Sequence, residues 1–272
     1  MSTARFLGID IGSLTVKAIL LDADLRVLTK GVMPAGYGGQ EAAEALVAKI
    51  LAESDTSPSS VAYTVVTGYG RVRFATADEE ISEVSCHARG AFHLCPQART
   101  VIDIGGQDSK AIRLDAHGRV LDFAMNDKCA AGTGRFLEVM SAALAMPIEE
   151  FGAYALGSER PVSISSTCTV FAESEAISHI ARGAAKQDVA AGLHRAIASR
   201  VLGLAARVGL EPEVVLTGGV ALNVGVVAAL EQACAQRVTV PDEPQTIGAL
   251  GAALYALHRG KGVNHPHKLL DL

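Results

Sequence analysis

The chain has 272 residues, of which 49% are hydrophobic and 19% are charged, with a formal net charge of −5. This apolar content argues against a disordered chain, and the length predicts one large domain or two small ones. Aromatic residues make up only 4%, without tryptophan, and no basic run occurs, so we expect no nucleic-acid partner. No segment has the pattern of a signal peptide or a bilayer span, so we expect a cytoplasmic protein with no membrane partner.

The predicted elements form two similar series along the chain. The first series has strands at 5–11, 16–21 and 25–32, a helix at 41–53, a strand at 61–67 and a helix at 84–94. The second series has strands at 100–104, 109–114 and 120–125, helices at 133–145, 169–183 and 187–209, a strand at 214–217 and a helix at 246–258.

Each series opens on the same motif. IDIGSLTVKAILLD at 9–22 and IDIGGQDSKAIRLD at 102–115 are identical at nine of fourteen ungapped positions. We therefore predict an α/β protein with a duplicated, two-lobed fold. The first lobe would span 1–96 and the second 97–272, with the option that the last helix packs back on the first lobe.

The repeated motif predicts a strand, a tight turn and a second, antiparallel strand. Glycine permits the turn, and small residues let backbone N–H groups approach an anion. Asp10 and Asp103 end the two strands, where a carboxylate can hold a hydrated Mg²⁺ beside phosphate oxygens. Two such hairpins facing each other across a cleft would bind the phosphates of one nucleotide. The Walker-type phosphate loop is excluded, because the sequence has no G-x-x-x-x-G-K-[ST].

A third glycine-rich segment, LTGGVALN at 216–223, lies between a predicted strand and a helix. Such a junction suits close packing against a base or a ribose. The two hairpins followed by TGGVA resemble the acetate kinase, sugar kinase, Hsp70 and actin superfamily of two-lobed ATPases. The resemblance implies an actin-like (ribonuclease H-like) duplicated fold with the nucleotide in the interdomain cleft.

The sequence has five cysteines and no CxxC motif, so we do not expect structural disulfides. Cys129 and Cys168 each follow a polar turn and directly precede a predicted helix, where free N–H groups and the helix dipole stabilise a thiolate. Two thiolates are too few for a closed metal site or an iron–sulfur cluster, but two chains would supply four. A free cysteine is also commonly a small buried hydrophobe, which is the interpretation we give to Cys86, Cys95 and Cys234.

Four segments carry a closer resemblance: MNDKCAAGTGRFLEVM, SSTCTVFAESEAIS, SCHARGA and VIDIGGQDSK. They resemble the activators of 2-hydroxyacyl-CoA dehydratases, within the BadF/BadG/BcrA/BcrD ATPase family. The resemblance implies a homodimer with one bridging [4Fe-4S] cluster, bound ATP and Mg²⁺. It also implies ATP-driven transfer of one electron, from a ferredoxin or flavodoxin, into a partner iron–sulfur dehydratase.

The resemblance also implies roles for individual residues. Cys129 and Cys168 would ligate the cluster. The repeated hairpins themselves lead us to expect catalytic roles for Asp10 and Asp103, and by analogy with other NTPases Gln107 would place the attacking water or contact a phosphate. The residues expected to line the nucleotide are Ser13, Leu14, Thr15, Val16, Lys17, Gly105, Gly106, Gln107, Gly218, Gly219 and Gln245. Leu14 is a departure, because the related loops have threonine there and offer one more hydroxyl.

Three alternatives remain open at this point. The chain could be the ATPase subunit of a benzoyl-CoA reductase-type complex, although the intact hairpins and KCAAGTG favour a freestanding activator. It could be a small-molecule kinase of the same superfamily, although we find no separate sugar-binding insertion. It could also be a nucleotide sensor without catalytic activity.

Overall fold

The computed structural model describes residues 4–165 and 168–261, which contain ten strands and eight α-helices. The strands are β1 (Arg5–Ile11), β2 (Thr15–Asp22), β3 (Val27–Pro34), β4 (Val61–Thr67), β5 (Glu79–Glu80), β6 (Thr100–Ile104), β7 (Ser109–Leu114), β8 (Val120–Asn126), β9 (Val214–Thr217) and β10 (Val238–Thr239). The helices are α1 (Gln40–Glu53), α2 (Glu83–Leu94), α3 (Gly134–Ala143), α4 (Ile148–Leu156), α5 (Thr169–Ala181), α6 (Lys186–Ala206), α7 (Val224–Cys234) and α8 (Ile247–Gly260).

The strands form two five-stranded sheets with the same topology. The first has the order β3-β2-β1-β4-β5, and the second has the matching order β8-β7-β6-β9-β10. In each sheet three consecutive strands pair antiparallel, and the central strand then pairs parallel with the fourth strand of its series. The two sequence motifs thus occupy equivalent places, on β1–β2 and on β6–β7.

The first compact unit comprises residues 4–96, 117–119 and 245–261. Its sheet is covered on both faces because the central strand β1 alternates its side chains between two cores. Leu7, Ile9 and Ile11 pack with the apolar side of α1. Phe6 belongs to the opposite core, which it shares with α8. The last helix therefore belongs to the same unit as the first strand.

Helix α8 approaches β1 more closely than ordinary side chains would permit. A Cβ added at Gly8 would overlap the backbone of Ala249 and would lie 2.8 Å from Ala253 Cα. The same holds between helices, since a Cβ at Gly251 would overlap the backbone of Cys86 on α2. The alanines and glycines of α8 permit this spacing.

The second unit comprises residues 97–116 and 120–244. A continuous core joins its sheet to helices α3 to α7, with Ile102 and Ile104 of β6 at its centre and Phe151 of α4 fully buried. Helix α4 and the short edge strands β5 and β10 were not among the predicted elements. No helix within residues 4–165 and 168–261 combines the length and apolar character needed to cross a membrane.

The close approach of α8 to β1 makes a testable prediction. Gly8→Ala should lower the free energy of unfolding by about 1–3 kcal/mol or more, because its Cβ has only backbone atoms to displace. Gly203→Ala on α6 is the control, since nothing lies within 4 Å of a Cβ there, and helix propensity should raise stability by about 0.5–1 kcal/mol. Denaturant unfolding measures both, and equal stabilities for the two variants would contradict the proposed packing.

Candidate functional site

The β1–β2 hairpin places a carboxylate opposite an ammonium group at its turn. Asp10 and Lys17 are paired in register, and Lys17 Nζ lies 3.4 Å from Asp10 Oδ2. The turn is closed by a hydrogen bond from Gly12 N to Thr15 O, 3.1 Å long. Asp10 is only 5% exposed, so the lysine neutralises a carboxylate that is largely removed from water.

The β6–β7 hairpin repeats this arrangement. Asp103 and Lys110 are paired in register with Nζ 3.3 Å from Asp103 Oδ2, and Gly105 N donates to Asp108 O at 3.0 Å. Here, however, Lys110 also contacts the carboxylate of Asp108, which stands where the first hairpin has Thr15.

The two lysines therefore differ in what they can offer a ligand. Lys110 is 1% exposed and lies between two carboxylates. The side chain of Lys17 is 14% exposed, and Asp10 is its single ion-pair partner within the described chain. Of the two repeated ammonium groups, Lys17 is the one suited to contact a phosphate.

A second repeat, which the sequence interpretation missed, adjoins the first. Thr67 and Gly68 end β4 beside Asp10, and Thr217 and Gly218 end β9 beside Asp103. Both glycines have positive φ, +88° and +87°. A Cβ at Gly68 would lie 2.5 Å from Asp10 Oδ1, and one at Gly218 would lie 2.8 Å from Asp103 Oδ1. Only glycine fits at either position. The repeat can be recognised in the sequence as VVTG at 65–68 and VLTG at 215–218.

The threonines of this repeat have diverged. Thr217 Oγ1 donates to Asp103 Oδ1 at 3.0 Å, which adds a second partner for the buried carboxylate. The hydroxyl of Thr67 is buried and, within the described residues, has no hydrogen-bond acceptor apart from weak contact with the Cys86 thiol. Burial raises the pKa of that thiol to about 12, so Cys86 is a core residue, as expected.

The remaining predicted nucleotide residues occupy three loops. In the first turn Ser13, Leu14 and Thr15 are half-buried, whereas Val16 is fully buried in the core and can offer only its backbone. Gly105, Gly106 and the exposed Gln107 form the second turn. Gly219 begins a short 3-10 helix that ends at Leu222, and Gln245 adjoins Pro244, whose carbonyl accepts from Gly218 N at 2.8 Å.

Asn223 fixes the end of the third glycine-rich segment. Its Oδ1 accepts from Val226 N at 3.1 Å, which caps α7, and lies 3.1 Å from Nε2 of the buried His194. The other ring nitrogen of His194 lies 2.7 Å from Ala190 O. Burial lowers the pKa of His194 below its ordinary value, and the two hydrogen bonds oppose this only in part.

The two cysteines predicted to bind metal are the exposed ones. Cys168 is the N-cap residue of α5, and its carbonyl accepts from Ala172 N at 2.9 Å. Cys129 differs from the prediction, because α3 begins only at Gly134 and four residues lie between. Its loop is held instead by Asn126, whose amide donates to Cys129 O at 2.8 Å.

Within residues 4–165 and 168–261, no group of three or more His, Cys, Asp or Glu side chains could hold a metal ion. Cys95 and Cys234 are intermediate in exposure, less buried than predicted for core residues.

Two backbone hydrogen bonds join the β6–β7 turn to the start of α3, which follows the Cys129 loop. Gly134 N donates to Gly105 O and Arg135 N donates to Gly106 O, both at 2.8 Å. The free N–H groups at the start of α3 are thus satisfied by the turn between β6 and β7. A displacement of that turn would move the start of α3, and with it the loop that carries Cys129.

The diverged threonines make a second prediction. Thr217→Val should cost about 1.5–3 kcal/mol of unfolding free energy, because it removes a hydrogen bond to a buried charged group. Thr67→Val is the matched control at the equivalent position and should be nearly neutral, since it removes a hydroxyl without a regular partner. Thermal or denaturant unfolding measures both, and an equal cost for the two substitutions would show that the threonines have not diverged in this way.

Comparison with known proteins agrees with this geometry. The family model described as the BadF/BadG/BcrA/BcrD ATPase family matches residues 7–256. The activator of lactoyl-CoA dehydratase from Anaerotignum propionicum is 50% identical over 250 residues, which cover 92% of this chain and 96% of that protein.

Two solved structures are similar over nearly their whole length. The activator of 2-hydroxyisocaproyl-CoA dehydratase from Clostridium difficile, with bound ADPNP, matches with a TM-score of 0.89 at 45% identity, over 94% of this chain and 96% of that one. Component A of (R)-2-hydroxyglutaryl-CoA dehydratase from Acidaminococcus fermentans matches with a TM-score of 0.91 at 45% identity, over 95% and 99%. The predicted duplicated, actin-like fold class is confirmed. The chain belongs to the BadF/BadG/BcrA/BcrD ATPase family.

Proposed function

We propose that this protein is an ATP-hydrolysing activator of a 2-hydroxyacyl-CoA dehydratase, and that it works as a homodimer with one bridging [4Fe-4S] cluster. The observation that carries the proposal is the pair of hydrogen bonds between the Gly105–Gly106 turn and the start of α3. They connect a turn suited to phosphate with a loop that presents an exposed thiol, in a chain similar to named dehydratase activators.

Nucleotide binding would use the three glycine-rich loops. The β1–β2 turn offers the backbone N–H groups and hydroxyls of Ser13 and Thr15 together with the ammonium group of Lys17. The β6–β7 turn offers Gly106 and Gln107, and Gly218–Gly219 suits the base or ribose. We propose that these loops bind a nucleotide, and the ADPNP bound to a similar activator supports nucleotide binding.

Asp10 and Asp103 suit Mg²⁺ held through water rather than directly. Each carboxylate already contacts a lysine, at 3.4 and 3.3 Å, and Asp103 also accepts from Thr217. Mg²⁺ usually keeps several waters and binds with one or two carboxylates plus phosphate oxygens. In this proposal the carboxylates would hold Mg²⁺, which would neutralise phosphate charge, and Gln107, exposed at the tip of its turn, would position the attacking water or the terminal phosphate.

The cysteines fit a cluster shared by two chains. A [4Fe-4S] cluster takes four thiolates, and each chain exposes Cys129 and Cys168. The described part of one chain offers no third ligand to complete such a site. The bound cluster would supply one-electron chemistry, between a ferredoxin or flavodoxin as donor and the dehydratase as acceptor.

The protein's own contribution to coupling would be mechanical. Hydrolysis of ATP to ADP and phosphate changes which oxygens the β6–β7 turn must hold. Because the turn accepts hydrogen bonds from Gly134 N and Arg135 N, its displacement changes the position of α3. The Cys129 loop, held between α3 and Asn126, would then present its thiol differently in the two nucleotide states.

Nucleotide binding can be tested at Lys17. Lys17→Met should weaken ATP binding and slow hydrolysis at least tenfold, because a charge-assisted contact to phosphate is lost. Lys49→Met, on the exposed surface of α1, should leave both unchanged. Calorimetric titration with a non-hydrolysable ATP analogue measures the affinity, and phosphate release measures the rate of hydrolysis. An unchanged affinity and rate for Lys17→Met would show that the β1–β2 turn is not part of the nucleotide site.

Cluster binding can be tested at the cysteines. In anaerobically purified protein, Cys129→Ser and Cys168→Ser should each lose most bound iron and weaken the dimer, because each removes two of four ligands from a shared site. Cys95→Ser and Cys234→Ser should keep the wild-type iron content. Iron analysis and analytical ultracentrifugation provide the readouts, and a full iron content in either of the first two variants is incompatible with the bridging site.

A further inference from the structure

A surface cavity of about 250 Å³ lies in the second unit, and no glycine of the three glycine-rich loops lines it. One wall is formed by Ser109 and Asn126, which are paired at the adjoining ends of β7 and β8. The opposite wall is formed by Arg200, Gly203 and Arg207, from α6 and its C-cap. Ser109 directly follows the β6–β7 turn, and Asn126 holds the Cys129 loop, so the cavity adjoins both.

Two guanidinium groups line this cavity without carboxylate partners. Within residues 4–165 and 168–261, neither Arg200 nor Arg207 makes a salt bridge or a side-chain hydrogen bond. Arg113 and Arg135 differ, because they pair with Glu211 and Glu138 at 3.6 and 3.0 Å. Two like charges beside one cavity repel each other, and an anion between them would add an attraction to each that outweighs this repulsion.

The backbone around the arginines keeps the cavity open. The stem of Arg200 packs on the cysteine loop, because a Cβ added at Gly132 would lie 3.5 Å from Arg200 Cβ. Gly203 lies between the two arginines on α6 and contributes no side chain to fill the space. Ser109 is 2% exposed, and its hydroxyl has no partner among the hydrogen bonds of the described residues. The hydroxyl of a buried residue therefore lines the same cavity as two cations.

We propose that this cavity binds a phosphate-class oxyanion between Arg200 and Arg207, and that the bound ion steadies the Cys129 loop. Arginine forks match phosphate oxygens, and a doubly charged ion balances two guanidinium groups. Inorganic phosphate carries between one and two negative charges near neutral pH, and the doubly charged form would bind better here. The volume exceeds that of a few water molecules and accommodates such an ion.

The experiment is a calorimetric titration of the cluster-loaded protein with inorganic phosphate, in buffer free of other oxyanions. Wild-type protein should bind phosphate, and Arg200→Gln and Arg207→Gln should each weaken binding about tenfold or more. Arg207→Lys, at an exposed position, should retain part of the affinity. Arg195→Gln is the control on the same helix, where the guanidinium already contacts Gln232, and should bind like wild type.

Two further measurements separate this cavity from the proposed nucleotide site. Phosphate binding should persist in Lys17→Met, and phosphate should slow amide hydrogen exchange of residues 127–134 in wild type but not in Arg207→Gln. Unchanged affinity in both arginine variants would overturn the proposal, as would loss of binding in Lys17→Met. Because the titration requires no ATP hydrolysis, its failure leaves the proposed activator function untouched.

Discussion

The buried carboxylate–ammonium pair that closes each repeated hairpin is the interaction on which the site depends. A carboxylate at a strand end, 5% or less exposed, would be costly without a partner, and the lysine directly opposite supplies one. The pair orients the carboxylate, the strand register fixes the pair, and the glycine of the turn leaves room for both. The threonine–glycine step at the end of the neighbouring parallel strand completes this support, since only glycine fits beside the carboxylate.

Duplication produced two hairpins of one architecture with different chemistry. In the first, Thr15 leaves Lys17 with a single carboxylate and partial exposure, which suits contact with a ligand. In the second, Asp108 and Thr217 surround the pair of Asp103 and Lys110, and the carbonyls of the turn accept hydrogen bonds from α3. The first copy therefore leaves its ammonium group partly accessible, whereas the second is tied to the start of α3 by two backbone hydrogen bonds.

Much of this fold was accessible from sequence, because strand and turn signals are local. The bounds of β1, β4, β6, β7 and β9 agree with prediction, since β-branched runs end there at glycine or charged residues. Helix α4 was missed because a nine-residue helix is stabilised by packing around Phe151 more than by its own propensity. The start of α3 agrees with prediction to within one residue, but the expectation that Cys129 directly precedes this helix was wrong, because Gly134 N bonds to a carbonyl of a distant turn, a contact without local signature.

Helix α8 has a consequence for the order in which the chain is completed during synthesis. Its residues belong to the same core as Phe6, although the whole second unit lies between them in sequence. The ribosome therefore synthesises every residue of the second unit before it synthesises α8, the helix that covers β1. Until then the apolar face of the first sheet remains open to solvent or to chaperones. A nascent chain that stops near residue 245 would carry all three glycine-rich loops and yet lack one wall of its first core.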